Sequence, residues 1–413
     1  MARTVSALVT SGPEYLGAVG PFAVGVAWWS EVEQVVAVLT EVLGVRVLVL
    51  RLVRVVGGAG ARDGHVTYHV EALDRPAPGL LDRRPVDPAA LTGSDGPRAG
   101  WATAAGVREL LCWATEALAA RGRPLTGPIG QRRTWNLAGL FRLPTDGGPV
   151  WLKATPSFAA DEAAAITAVA GVDPSLVPGI VAAGEHRILL EHLPGADCWN
   201  VAPEIIDSAV HRFVAAQATL AGQLEALPAD RFRDRRDPVL AERIDALLDG
   251  PLASTAAGGL TVEEWRSAHR VLARWRKLAD CGLPDTLVHG DFHSGNWRST
   301  PAGPPAVLDF ADSHLGNPVL DGLRLCEFLP EARRTAAAVS WARAWRSRVP
   351  DADPGRALLL AEPLAHLAYA VRYQEFLDGI EATERIYHHD DPVESVRAAL
   401  RCARSPGRHL LDG

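Results

Sequence analysis

Two polar motifs lying close together constrain this chain more than any other feature of its sequence. The segment LVHGDFHSGNW contains Asp291 and Asn296, and the segment VLDF follows with Asp309, eighteen residues after Asp291. Apolar residues flank both motifs, and this pattern predicts short strands that each end in a polar loop. We therefore expect a fold in which two neighbouring loops bring two carboxylates and one amide oxygen together.

These three side chains have the chemistry that phosphoryl transfer requires. The reaction needs a group that orients the attacking hydroxyl, and it needs metal ligands that neutralise charge on the β- and γ-phosphates. Asp291, Asn296 and Asp309 supply such groups, and one Asn, one Asp and the substrate phosphates would suit Mg²⁺, which prefers hard oxygen ligands and keeps several waters. A turn-rich loop without chemistry is the alternative for HGDFHSGN by itself, because His, Gly, Asp and Asn all favour turns.

Neighbouring residues offer structural support to this loop, which we name the HGD loop (His289–Asn296). The segment GNPVLD places Asp321 near the start of a predicted helix, where its carboxylate would brace the HGD loop from behind. His289 and His293 shape the loop in this interpretation and do not bind metal.

The order H-G-D-x-x-x-x-N, D-F-x-D and G-N-P-x-x-D resembles the aminoglycoside phosphotransferase and choline kinase superfamily over roughly residues 130 to 400. The resemblance implies an α+β, bilobal protein-kinase-like fold, with a β-rich N-lobe, a largely helical C-lobe and an active site between them. It also implies that Asp291 is the catalytic base, that Asn296 and Asp309 hold Mg²⁺, and that ATP is the co-substrate. The choice between ATP and GTP stays open.

Two charged residues are candidates for the nucleotide side of the site. Lys153 ends the predicted strand VWLKA, where its ammonium group would reach the α- and β-phosphates, and Glu162 on the following helix would pair with it. A surface lysine and a glutamate that stabilises a helix N-terminus are the alternative interpretation.

Two further segments are candidates for nucleotide contacts. The segment LLEHLPG resembles the hinge between kinase lobes, where backbone groups from Glu191 to Leu193 would bind the adenine edge. The hairpin QRRTWNLAGLFRL stands where kinases cover the phosphates, but it lacks G-x-G-x-x-G. Trp135 and Asn136 are therefore candidates for phosphate contacts only because of where this hairpin lies in the chain.

The C-terminal run QEFLDGIEATERIYHHDDP is rich in acids and is the candidate acceptor site. At 100° per residue, Gln374, Asp378 and Glu381 share one helical stripe, whereas Glu384 lies about 80° away from it. Carboxylates suit an amine surrounded by hydroxyls, because each accepts hydrogen bonds and pairs with ammonium. A solvated acidic helix face is the alternative.

The same run resembles the acceptor signature of actinobacterial glucosamine kinases, which carry an N-terminal cap as in maltokinase-like enzymes. That resemblance implies phosphorylation of glucosamine at its 6-hydroxyl by ATP and Mg²⁺. The sugar-pocket candidates that it implies are Gln374, Asp378, Glu381, Glu384, Tyr387 and His388. The alternatives are another acceptor (an aminoglycoside, maltose or an amino alcohol such as choline) and a pseudokinase that binds a ligand without chemistry.

The length of 413 residues exceeds one compact core, so two or three lobes are expected. We place an N-terminal cap at residues 1–90, a β-rich nucleotide-binding lobe at 100–195, and a helical catalytic and acceptor-binding lobe at 196–413. The Pro- and Gly-rich segment 75–100 connects the first two. The predicted elements of these two parts are a helix over Glu31–Leu43, a half-buried strand over Val45–Val56, a strand over His65–Leu73, a helix over Ala105–Arg121 and a β-hairpin over 134–154.

The composition indicates a protein that acts on small molecules. A formal net charge of -7 and an isoelectric point near 6.0 argue against nucleic acid as a partner. The five cysteines include no C-x-x-C pair and indicate a reduced, cytoplasmic protein without a cysteine metal site. We predict neither a signal peptide nor a membrane span, because charged residues interrupt the most hydrophobic stretch, 35–56. The oligomeric state and the role of the cap stay open.

Overall fold

The computed structural model of the protein describes residues 3–83, 85–87, 91, 97–200, 202–253, 259–300 and 303–404, so part of the predicted connector lies outside the described residues. The strands are β1 Arg3–Ser11, β2 Glu14–Val24, β3 Val47–Val56, β4 His65–Ala72, β5 Gly130–Trp135, β6 Ala138–Leu143, β7 Val150–Ala154, β8 Ile180–Gly184, β9 Arg187–Glu191, β10 Ala196–Asp197, β11 Arg233–Arg235, β12 Thr286–Val288, β13 Trp297–Ser299, β14 Ala306–Val307 and β15 His314–Gly316. The α-helices are α1 Glu33–Leu43, α2 Ala104–Ala119, α3 Glu162–Ala170, α4 Pro203–Ala221, α5 Asp237–Asp249, α6 Val262–Leu272, α7 Val319–Glu327, α8 Glu331–Arg348, α9 Pro354–Gly379 and α10 Asp391–Arg404.

The chain forms two compact units, and neither is one continuous stretch of sequence. The first comprises Met1–Phe158, Ile180–His192 and Phe376–His389, and the second comprises Ala159–Gly179, Leu193–Glu375 and Asp390–Gly413. Both predicted N-terminal parts, the cap and most of the nucleotide-binding lobe, fall within the first unit. The boundaries predicted near residues 90 and 195 stay a prediction.

The first unit begins with a four-stranded sheet in the order β2-β1-β4-β3. Strand β1 runs parallel to β4, whereas the β1–β2 and β3–β4 pairs are antiparallel. Helix α1 ends at Gly44, whose φ of 66° suits the left-handed position after a helix. The helix and the second strand predicted in this region are confirmed to within two residues at each end.

Strand β3 is buried on both faces over its first half, so the prediction of a half-buried strand was wrong there. Val47 and Val49 pack in the core of the four-stranded sheet, whereas Leu48 and Leu50 pack in a second core. After Leu52 the residues alternate between half-buried and exposed. The alternation of apolar residues and arginines did not reveal the second core, which covers the face that was expected to meet water.

That second core lies under the other sheet of the first unit, an antiparallel sheet in the order β5-β6-β7-β9-β8. Helix α2 packs on it through residues spaced three or four apart, namely Val107, Leu110, Ala114 and Leu118. Thr103 caps this helix by accepting a hydrogen bond from the Gly106 amide at 3.1 Å. The predicted helix and β-hairpin are confirmed, and the sheet carries Lys153 on β7.

The second unit is mostly helical, with short strands next to the HGD loop. One small sheet has the order β11-β15-β12 and another has the order β10-β13-β14. The strand-rich segment predicted at Leu287–Phe310 is confirmed, as is the helical character of the chain that follows it. Among the described residues, no helix is both long enough and apolar enough to span a membrane.

The acid-rich C-terminal run is not one helix. Helix α9 ends at Gly379, and Glu381 is the N-cap of a separate 3₁₀ helix, Ala382–Tyr387. The predicted stripe through Gln374, Asp378 and Glu381 is therefore wrong, because the 100° repeat stops before Glu381. Only the first two of these residues lie on α9.

Candidate active site

The HGD loop follows β12, and Asp321 on α7 holds its backbone. Oδ2 of Asp321 accepts a hydrogen bond from the His289 amide at 2.8 Å, and Oδ1 accepts one from the Gly290 amide at 2.9 Å. Gln217 donates a third hydrogen bond to Oδ2 at 2.8 Å. Burial raises the pKa of Asp321 to about 7, although these donors favour its charged form. Because Asp321 is fully buried, the three hydrogen bonds replace lost water.

Gly290 makes the turn that delivers Asp291. Its φ is 84°, a left-handed value that favours glycine. A Cβ at this position would meet the carbonyl oxygen of Asp312 at 2.3 Å. The loop therefore requires glycine for both its conformation and its packing.

Asp291 lies among cationic and amide donors. Arg324 Nε donates to Oδ1 at 2.7 Å, and Arg372 Nη1 lies 3.6 Å from the same oxygen. Asn296 Nδ2 donates to Oδ2 at 3.1 Å and to the Asp291 carbonyl oxygen at 3.0 Å. Burial by itself raises the pKa of Asp291, but the charges of Arg324 and Arg372 outweigh burial and hold the pKa well below its usual range. The carboxylate is therefore ionised and weakly basic.

The hydrogen bonds of the two histidines fix which ring nitrogen carries the proton. His289 Nδ1 accepts from the Asp291 amide at 3.1 Å, so its Nε2 donates to the Leu308 carbonyl oxygen at 2.9 Å. His293 Nδ1 accepts from the Gly295 amide at 3.1 Å, so its Nε2–H faces Asp291 Oδ2, 3.5 Å away. Burial lowers the pKa of His289 to about 4, which keeps that ring neutral. Both rings thus bond to the loop itself.

The hairpin of β13 and β14 brings Asn296 close to Asp309. The Leu308 amide donates to the Asn296 carbonyl oxygen at 2.8 Å, so the residue before Asp309 lies across from Asn296. Asp309 has a φ of 66°, a left-handed conformation that Asp tolerates better than most residues. The adjacent Phe310 amide donates to Glu162 Oε1 at 3.1 Å. Asp291, Asn296 and Asp309 therefore share one loop cluster within the second unit.

The candidate nucleotide residues lie in both units. Lys153 is buried on β7 of the first unit, and Glu162 on α3 belongs to the second unit, so their pairing stays a prediction. The contact of Glu162 with the Phe310 amide was not predicted. The side chain of Glu191 pairs with Arg123, whose Nη2 donates to it at 3.2 Å. Adenine contacts from the backbone of Glu191 to Leu193 also stay a prediction.

Two of the acceptor candidates line a cavity of about 340 Å³ in the first unit. Glu381 is buried and pairs with Arg98 Nη2 at 2.9 Å and with Arg51 Nη1 at 3.5 Å. Glu384 is also buried, and its Oε1 accepts a hydrogen bond from the Leu52 amide at 3.0 Å. Burial raises the pKa of Glu384 to about 8. Arg98, Trp135 and Asn136 also line this cavity.

The remaining candidates occupy other environments. Tyr387 packs in the core of the four-stranded sheet, with its ring centroid 5.6 Å from those of Trp29 and Trp135. The His388 ring lies 5.2 Å from the ring of Phe376. Four candidates are thus not among the cavity-lining residues: Gln374, Asp378, Tyr387 and His388.

Two arginines near Asp291 were not predicted from the sequence. Arg324 and Arg372 both contact Asp291, and Arg372 also pairs with Asp312 and donates to the Gly290 carbonyl oxygen at 3.2 Å. Each arginine interrupts an apolar helical run, GLRLCEF or AYAVRYQEF. A buried arginine requires a partner, so this interruption is the signal that could have identified both.

The matched region of a known protein family covers this whole loop cluster. Residues 140–360, more than half of the chain, match the sequence profile of APH, described as the phosphotransferase enzyme family. The chain belongs to this family. No curated protein matches the chain at a significant level. The family assignment of this phosphotransferase therefore rests on the profile.

Solved structures resemble this phosphotransferase in fold. A choline/ethanolamine kinase family protein from Mesorhizobium loti is 18% identical, with a TM-score of 0.51 and with 73% of this chain and 98% of that chain covered. Choline kinase LicA from Streptococcus pneumoniae is 10% identical, with a TM-score of 0.50 and coverage of 71% and 99%. The predicted kinase-like α+β fold, β-rich towards the N-terminus and helical towards the C-terminus, is confirmed.

Proposed function

We propose that this phosphotransferase is an ATP- and Mg²⁺-dependent kinase that phosphorylates glucosamine at its 6-hydroxyl. The kinase part is supported by one observation above all, the grouping of Asp291, Asn296 and Asp309 in a loop cluster that Asp321 braces from behind. The glucosamine part is supported by the resemblance of the C-terminal run to glucosamine kinases and by its acidic side chains.

The donor set of the loop cluster fits Mg²⁺. Asn296 directs Nδ2 at Asp291, which leaves its Oδ1 on the opposite side of the amide group. That oxygen and the carboxylate of Asp309 would hold the ion, with phosphate oxygens and water as the other ligands. When bound, Mg²⁺ neutralises charge on the β- and γ-phosphates.

Asp291 accepts a hydrogen bond from the acceptor hydroxyl and thereby orients the hydroxyl oxygen towards the γ-phosphorus. The bond between this phosphorus and the β–γ bridging oxygen breaks while the bond to the acceptor oxygen forms, and ADP leaves. Because its pKa is held low, Asp291 first orients the hydroxyl and takes the proton only as transfer makes that hydroxyl acidic. Arg324 and Arg372 fix the carboxylate in this position.

Contacts with the nucleotide complete the proposal. Lys153 would pair with the α- and β-phosphates, and backbone groups from Glu191 to Leu193 would bind adenine. Glu162 would act by holding the Phe310 amide, and through it the adjacent Asp309.

The acceptor contacts are proposed for the C-terminal candidates Gln374, Asp378, Glu381, Glu384, Tyr387 and His388. Glu381 and Glu384 have the best support, because both line a cavity. The raised pKa of Glu384 keeps this side chain largely neutral at neutral pH, so it would bind a hydroxyl rather than an ammonium group. Packing of Tyr387 in the core supports an indirect contribution from this residue.

A cytoplasmic location is part of the proposal. ATP is the donor, and all five cysteines, each of them among the described residues, are free thiols. The free thiols fit a reducing compartment, and ATP as the proposed donor fits the cytoplasm.

An ADP-release assay across glucosamine, glucose, N-acetylglucosamine, maltose, kanamycin and choline tests the function. We expect turnover with glucosamine. We expect Asp291→Asn to lower kcat at least about a hundredfold, with nucleotide affinity unchanged, because the variant orients the hydroxyl poorly. Asp280→Asn, an exposed position in the same unit, is the matched control.

The outcomes separate the alternatives. Asp291→Asn turnover equal to that of the unmodified protein would remove Asp291 from its role. Preferred turnover of kanamycin, maltose or choline would replace the aminosugar with that acceptor. Nucleotide binding without turnover of any acceptor would support the pseudokinase alternative.

A further inference from the structure

An exposed aromatic surface lies beside Asp291 in the second unit. Trp199, in the segment after β10, is 46% exposed, and Phe328, just after α7, is 38% exposed. Their ring centroids are 6.1 Å apart, with an interplanar angle of 68°. The His293 ring lies 5.3 Å from Trp199 and 4.4 Å from Phe328. We name these three rings the aromatic platform.

The aromatic platform is seated on the HGD loop. His293 Nε2 lies 3.5 Å from Asp291 Oδ2, so one ring of the platform contacts the carboxylate that orients the acceptor. Trp199 rests on Gly295, where a Cβ would meet the tryptophan ring at 2.2 Å. Glycine at this position allows the indole to lie against the loop backbone. His293, which is buried, therefore links the two exposed rings to Asp291.

An exposed aromatic surface in such a place can bind a cation or stack an uncharged ring. The Arg324 guanidinium lies 4.4 Å from the Phe328 ring centroid, so a cation already covers one face of that ring. Both arginines are paired with carboxylates, Arg324 with Asp291 and Glu327 and Arg372 with Asp312, so their charges do not decide what binds. Because Arg324 already lies over one face of Phe328, the exposed aromatic surface that is left suits the apolar C–H face of a sugar ring.

We propose that the aromatic platform stacks the C–H face of the acceptor's pyranose ring, with Trp199 as the main contact. This inference rests on the proposed kinase function and adds ring recognition to it. Stacking removes apolar surface of both partners from water and limits the orientations in which the hydroxyl meets Asp291. Trp199 thereby selects cyclic over acyclic acceptors.

Substitution of Trp199 tests the proposal. We expect Trp199→Ala to raise the acceptor KM about tenfold, or about 1.4 kcal/mol, with the KM for ATP and the melting temperature little changed. Trp199→Phe should recover most of the loss, because it keeps an aromatic face. Trp28→Ala is the matched control, since Trp28 is 49% exposed in the first unit.

The assay uses glucosamine, glucose and maltose as ring acceptors and choline as the acyclic one. Glucosamine turnover that is unchanged by Trp199→Ala overturns the platform and leaves the proposed function intact. Turnover of another ring sugar that depends on Trp199 supports the platform and overturns the glucosamine assignment. A rise in the KM for ATP alone assigns Trp199 to the nucleotide and overturns the platform. Turnover of choline alone, or of no acceptor, overturns both.

Discussion

Glu384 is a buried acid whose ionisation opposes folding. In the folded protein burial raises its pKa to about 8, whereas its ordinary value is 4.5. Between these values the unfolded chain binds fewer protons than the folded protein. The free energy of unfolding therefore falls as the pH rises, by about 1.4 kcal/mol per pH unit in the middle of this window.

We expect that the free energy of unfolding of Glu384→Gln does not show this decrease with rising pH. The glutamine amide keeps an oxygen for the Leu52 amide and has no proton to lose. Urea unfolding of both proteins between about pH 5 and pH 8 measures the difference, which should increasingly favour the variant as the pH rises. Glu41→Gln, an exposed position on α1 in the same unit, should follow the unmodified protein. Parallel curves for Glu384→Gln and the unmodified protein would contradict the prediction.

Asp321 fixes the HGD loop through both of its oxygens. Asparagine has one acceptor oxygen, so Asp321→Asn loses a hydrogen bond and turns an NH₂ group towards a backbone amide. We expect a loss of about 2–4 kcal/mol in the free energy of unfolding, and a fall in kcat with nucleotide affinity unchanged. Urea unfolding and single-acceptor kinetics are the measurements. Asp280→Asn should change stability by less than about 0.5 kcal/mol. Equal stability of Asp321→Asn and the unmodified protein would count against the brace.

At the scale of elements, the first turn of α3 contacts the part of the loop cluster that contains Asp309, a proposed metal ligand. Glu162 accepts a hydrogen bond from the Phe310 amide, so removal of the Glu162 side chain would loosen the backbone next to Asp309. We expect Glu162→Ala to raise the Mg²⁺ concentration for half-maximal activity several-fold, and Glu162→Gln, which keeps an acceptor oxygen, to have a smaller effect.

The neighbouring residue supplies a matched control for this prediction. Asp161 caps α3 by accepting from the Ala164 amide at 2.9 Å, so Asp161→Ala weakens the same helix by about 1 kcal/mol. It leaves the acceptor of the Phe310 amide in place. Titration of activity with Mg²⁺ separates the two variants. Identical Mg²⁺ dependence for Asp161→Ala and Glu162→Ala would reduce Glu162 to a helix-stabilising residue.

The elements that the sequence predicted well are those defined by local pattern. The HGD loop and its strands were predictable because turn-forming and oxygen-bearing residues follow short apolar runs. The double burial of β3 depends on a core formed by distant residues, and the end of α9 at Gly379 interrupts a run that still looks helical. Arg324 and Arg372 were missed for a related reason. Their partners lie on the loop, far away in sequence.

At the scale of the whole molecule, sequence order and spatial grouping differ. The segment Phe376–His389 belongs to the first unit although 183 residues, 193 to 375, separate it from His192. The hydrogen bond between Glu384 and the Leu52 amide joins residues 332 positions apart. Such closures are set by tertiary packing, so reading the chain in order assigned the entire C-terminal run to the acceptor lobe. The structure assigns part of it to the core of the first unit.

Substitution of Tyr387 tests whether the segment Phe376–His389 mainly packs in the core of the first unit or mainly binds the acceptor. Its hydroxyl is buried, and among the described residues it has no hydrogen-bond partner, whereas its ring packs between Trp29 and Trp135. We expect Tyr387→Phe to match or exceed the unmodified protein in stability, because it removes an unsatisfied polar group. Tyr387→Ala should lose about 3–5 kcal/mol, because it leaves a cavity in the core. If Tyr387 instead binds the acceptor, its hydroxyl should affect the kinetics. A tenfold rise in the acceptor KM for Tyr387→Phe, at unchanged stability, would mean that the hydroxyl contacts the acceptor during turnover. Packing alone would then not explain the role of Tyr387. An unchanged acceptor KM, measured on a variant of full stability, leaves Tyr387 as the residue that holds the 3₁₀ helix carrying Glu384 against the four-stranded sheet.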